Sequence, residues 1–179
     1  MFWFVLCPSR PAQRRPRHVL VREYRPTLRV ALAVLHLLAL AIGLQAVLQR
    51  AQWLTKPLTG DVVKRVLHAD SEWGLAAFLW IGTGLWRYLG SSEKSSNYYE
   101  HNAFFLAKIA ILVVVLVLEI KPMTTLIRWR IALGRGAPPE QLPGSNSARS
   151  MSLTSAIQGI LVVLMVVLAV AMARGYDLG

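Results

Sequence analysis

The sequence predicts an all-α membrane protein with four transmembrane helices in an up-down antiparallel bundle, and three observations carry that prediction. Apolar residues make up 55% of the chain's 179 and charged ones only 16%, more oily surface than a soluble fold of this size can hide. These apolar residues gather in four runs, 28–48, 72–89, 103–120 and 153–173, each close to the roughly 20 residues that a helix needs to cross a bilayer. The basic residues fall mainly between the runs, as they do where loops meet headgroups.

Taken in order, residues 1–27 form an Arg- and Pro-rich tail, and residues 28–175 hold the four helices. The first run stops at Gln49-Arg50. The second follows His68-Ala69-Asp70-Ser71, where Asp70 or Ser71 serves as an N-cap, and it stops in the polar stretch from Arg87 to Lys94. Lys121-Pro122 ends the third run and Arg174-Gly175 the fourth. Between the last two lies the long extramembrane loop, 121–152. Its Thr124–Leu133 part reads as a basic helical extension, and the rest, through Pro138-Pro139 to Ser150, as turn and coil. Trp53, Trp73, Trp86, Tyr88, Tyr98, Tyr99 and Trp129 stand at or near the run ends, as interfacial aromatics do. Short connections make consecutive helices antiparallel, and Gly43, Gly74, Gly82, Gly84 and Gly159 offer places for close backbone approach.

The formal charge of +11 points to lipid headgroups rather than nucleic acid, because the cations flank apolar runs. Orientation is nearly balanced. Ten cations fall on the side of the tail, second loop and C-terminus and nine on the side of loops one and three, with Lys108 inside the third run completing the 20. Cys7 is the only cysteine, so neither an intramolecular disulfide nor a Cys-based metal cage is expected. The apolar start at Met1 lacks a basic segment before it and does not read as a secretory signal.

Ionisable groups within a span cost about 2.5–3.5 kcal/mol at the helix centre, so each calls for a partner or a role. His36 in the first run, Lys108 in the third and Arg87 near the end of the second come to one half of the membrane, with His101 in the loop above. This cation-rich group beside an imidazole suits an anionic cofactor or lipid: imidazole for a metal, cations for propionates or phosphates. His36 is the candidate metal ligand, and Met165 a weaker one. The plainer reading has His36 hydrogen-bonded within the bundle while Lys108 and Arg87 snorkel to headgroups. Glu119, Asp70 and Glu72 gather in the other half near Lys64, Arg65 and Lys121. Arg14, Arg15, Arg17, Arg22 and Arg25 in the tail are candidates for docking a protein partner or anionic lipid. No nucleotide or hydrolase motif is present, and His18, His36, His68 and His101 lack the spacing of helical metal ligands.

Several stretches carry a resemblance: Leu35-His36-Leu37-Leu38-Ala39; Ala69-Asp70 with Trp73-Gly74-Leu75-Ala76-Ala77 and Thr83-Gly84-Leu85-Trp86-Arg87; Tyr98 through Lys108; Trp129-Arg130; and Ala171-Met172-Ala173-Arg174-Gly175. In order and spacing they resemble the bacterial predicted membrane proteins grouped as domain of unknown function twenty-two fourteen. The resemblance implies four spans, a bacterial cytoplasmic membrane, and loops one and three in the cytoplasm. The chain is also distantly similar to the copper-resistance D-type proteins and the J-type protoporphyrinogen oxidases. That likeness implies haem b or porphyrin binding through His36 and Lys108, which occupy matching places.

The function expected from these readings is that of a non-enzymatic membrane subunit packing in, or at the edge of, a larger respiratory or photosynthetic complex. Its partners are then membrane lipids and other membrane subunits. A small haem- or porphyrin-binding redox protein is the alternative, and copper or small-solute transport the third reading.

Overall fold

A computed structural model describes residues 18–89 and 103–174, apart from the side chains of residues 18–26 and of Tyr88. Four long α-helices account for most of them: α1 His18–Trp53, α2 Gly60–Leu89, α3 Ala103–Gly134 and α4 Ala148–Ala173. Two short 3-10 turns, Pro139–Gln141 and Ser145–Ser147, lie between α3 and α4. Gly144 enters the second of these with φ +75°, a left-handed conformation that favours glycine. There is no strand among the described residues.

Three of the helices are long and apolar enough to cross a membrane, over Thr27–Trp53, Ala103–Gly134 and Ser145–Ala173. Helix α2, the fourth expected span, is not a clear span. Its first half carries Asp61, Lys64, Arg65, His68, Asp70 and Glu72, and Gly74, Gly82, Thr83 and Gly84 dilute the apolar second half. At 36 residues, α1 is about 54 Å long at 1.5 Å per residue, well beyond a hydrocarbon core of about 30 Å.

Cross-helix contacts set the arrangement. Arg50 of α1 meets Asp70 of α2, and His36 meets Thr83. Thirteen or fourteen residues separate these two ties on each helix, about 20 Å of rise, so α1 and α2 run opposite ways with matched pitch. On the other side of α1, Ser152 of α4 donates to the Ala51 carbonyl, and Gly159 packs on Val47 and Leu48. Helix α3 lies along α4, with Lys121 at Ser150 and Val115 at Gln158. Helices α2 and α3 meet mainly near one end, where Arg130 reaches Asp70.

At one end of the helices, a compact core joins Leu54, Val63, Val66, Leu126, Trp129, Leu142, Ala148 and Met151. Trp129 is fully buried there, and its indole N–H donates to the Pro143 carbonyl at 2.9 Å. That bond satisfies the ring's single polar group and pins the 3-10 turns onto the end of α3. Further along, Ala46, Val47, Trp73, Val115 and Val162 form a second core, and Ala39, Trp80 and Met165 a third. The polar centre lies between the first two cores.

Candidate functional site

On α1, helical spacing aligns Ala39, Gly43, Val47 and Arg50 on one stripe turned toward α2 and α4. Small residues at Ala39, Gly43 and Ala46 let the helices approach, and a Cβ at Gly43 would stand 3.2 Å from Ala76 and 3.4 Å from Trp73. The approach carries the Arg50 side chain fully out of solvent. An arginine so placed must have all its donors met, and Arg50 meets that demand. Its Nε donates to Ser155 at 3.0 Å. Nη1 donates to Asp70 at 3.0 Å and Glu119 at 2.6 Å, and Nη2 to Glu119 at 2.7 Å and Gln158 at 3.0 Å. Five N–H groups thus find five acceptors on three other helices.

The acceptors are tied in turn. Gln158 lies in the middle of an apolar run and is fully buried; its amide nitrogen donates to the Val115 carbonyl at 3.1 Å and to Glu119 at 2.8 Å. Asp70 uses its second oxygen to accept from Arg130 at 2.8 Å. Arg130 Nη2 also reaches the Leu67 carbonyl and the Ser71 hydroxyl, and so clasps α3 to α2. Arg50 and Arg130 against Asp70 and Glu119 make a neutral set. Chemically, the fork of Arg50 on Glu119 is a bidentate charge-assisted pair, the strongest common hydrogen-bond geometry. Apolar layers above and below screen it from water.

A second polar constellation lies about 20 Å along the same helices. The Trp80 indole N–H donates to His36 Nε2 at 3.1 Å, and His36 Nδ1 meets the Thr83 hydroxyl at 2.9 Å. An indole only donates, so Nε2 carries the lone pair and the neutral ring holds its proton on Nδ1. Thr83 then donates to the Leu79 carbonyl at 2.7 Å. A Cβ at Gly84 would lie 3.1 Å from His36 Cε1, so only glycine lets the ring sit flush against α2. A metal at Nε2 would have to displace Trp80 from the imidazole.

The other sequence candidates lie as follows. Lys108 stands on the first turns of α3 with its ammonium 5.5 Å from the Phe105 ring centre. Arg87 is partly buried in the last turn of α2. His101, Arg14, Arg15 and Arg17 fall outside the described residues. Arg22 and Arg25 fall on the start of α1, where side chains are not described. Met165 packs beside Ala39 and Trp80. Among the described residues no group of three or more His, Cys, Asp or Glu could hold a metal ion.

A family model described as predicted membrane protein (DUF2214) matches residues 28–177. The chain belongs to that family. No curated protein and no solved structure matches it. As a DUF2214 chain it is a membrane protein that sits in lipid, and the match spans Arg50, Asp70, Glu119 and Gln158 as well as His36 and Lys108. Sequence reasoning missed Arg50, which looks like an ordinary charge ending an apolar run. It also passed over Gln158 and Ser155, although two buried polar residues three apart within 153–173 are a signal of a polar helix face.

Proposed function

We propose that this chain is a non-enzymatic subunit that crosses a bacterial cytoplasmic membrane four times as an up-down bundle and packs at the edge of a larger membrane complex. The observation supporting this reading is the outward surface of α3. Only 6% of its apolar stretch is buried within the chain, against 22% for α1 and for α4. Val113, Val117, Ile120 and Ile127 are exposed on it, while Glu119 anchors the same helix to Arg50. A helix held so firmly by its polar centre and so little covered on its apolar side is suited to bury that side against another membrane subunit. The matched ties of α2 to α1 support counting α2 as the fourth span. Cations around the Trp129 core, among them Lys64, Arg65, Arg128 and Arg149, favour loops one and three in the cytoplasm.

Photo-crosslinking in native membranes tests the reading. A photoreactive residue at Val117, 60% exposed, should join the chain to a second membrane polypeptide that also co-migrates in mild detergent. Adducts with lipid alone would sink the subunit reading. A Soret band on the purified chain, lost in His36→Ala, would replace it with haem binding at His36, Lys108, Arg87 and His101.

A further inference from the structure

Helices α2 and α3 are tied at one end and apart beyond it. Arg130 and Arg50 join them through Asp70 and Glu119, yet further along the pair encloses a groove of about 140 Å³ open space. Trp73, Gly74, Ala77 and Ile81 line it from α2, and Leu112, Leu116 and Met123 from α3. Its length, from Asp70 to Ile81 on one helix and Leu112 to Met123 on the other, is about 16 Å of helical rise. That is close to half of a hydrocarbon core of about 30 Å, the depth of one leaflet. Asp70 and Glu119 line its polar end, and the rest of its wall is apolar, so in a bilayer that part is filled by hydrocarbon or by protein.

Arg130 indicates which. It lies on the α3 face that carries Glu119 and Met123, past the polar end of the groove, and its side chain is 42% exposed. All three of its bonds to α2 use Nη2. Its Nη1 has no hydrogen bond among the described residues, and its two N–H groups are free to donate to phosphate oxygens. We infer that the α2–α3 groove binds one membrane phospholipid, its acyl chain between Gly74, Ala77 and Leu116 and its phosphate on Arg130 Nη1. A partner helix would fill the apolar part but would leave those donors unused. The inference rests on α2 lying across the bilayer.

Native mass spectrometry of the full chain released from nanodiscs of phosphatidylethanolamine and phosphatidylglycerol tests it. One phospholipid should stay bound per chain. Gly74→Leu should lower that retention at least tenfold, since a Cβ at Gly74 meets no atom within 4 Å and the new side chain would enter the groove. Ala77→Phe provides a second block should Gly74→Leu fold poorly, and Arg130→Gln should cut retention several-fold. Leu153→Phe, on the exposed face of α4, should change nothing. Equal lipid retention in all variants, or a dimer whose dissociation alone opens the groove, would overturn the inference. Labelling of cysteines in the loops reports separately on whether α2 spans, so failure of that premise is distinguishable.

Discussion

At the residue scale, Arg50 decides the most. Taking a guanidinium out of water is repaid only where all its donors are met, and losing one partner strands the others. Arg50→Met leaves Glu119 and Gln158 buried beside an apolar chain. It should cost about 3–5 kcal/mol, read as a fall in the unfolding midpoint in detergent. Replacing both members in Arg50→Met/Glu119→Leu should recover a large part of that loss, as coupling in a double-mutant cycle. Gln158→Leu removes one of the two acceptors of Arg50 Nη2 and the donors to Val115 and Glu119; a cost of about 1–3 kcal/mol is expected, measured the same way. Little of this was legible beforehand. Glu119 and Asp70 stood out as charges in one half of the membrane, but Arg50 did not, because an arginine after an apolar run is the usual mark of a membrane boundary. His36 was legible as an intramembrane group in search of a partner. Which partner it found, Trp80 and Thr83 across the helix pair, depended on the rotation of α2.

At the element scale, small residues set how closely the helices approach, and the approach lets the polar ties form. Gly43 of α1 rests on Ala76 and Trp73 of α2. Gly43→Val should push the pair apart, cost about 1–3 kcal/mol by overpacking and weaken both the Arg50–Asp70 and His36–Thr83 ties. Gly82→Ala meets open space on the same helix pair and should hold or slightly raise the midpoint, by up to about 1 kcal/mol of helix propensity. Comparing the two midpoints separates contact glycines from incidental ones. The sequence marks Gly43 and Gly82 alike as small residues in apolar runs; only the partner helix distinguishes them. The same holds for α2. Its mixed composition obscures a span, and its alignment along α1 emerges from two cross-helix ties 20 Å apart.

At the scale of the whole molecule, charge balance along the chain is close to even, so orientation rests on where the folded cations sit. With Cys7 replaced by serine, single cysteines at Thr55 and Asn146 should react with an impermeant maleimide from one side of the membrane, and a cysteine at Ser96 from the other. Labelling at Thr55 and Ser96 from one side and at Asn146 from the other would remove α2 from the spans, because α3 still crosses between positions 96 and 146. What the sequence determined by itself was the class: the apolar fraction, the long uncharged runs and their flanking cations specify helices in lipid, because insertion is a sum over each segment's own residues. What tertiary structure alone decided was the polar centre. Whether Arg50 faces lipid headgroups or Glu119 depends on the depth and rotation of three other helices, and no sum over one segment contains that information.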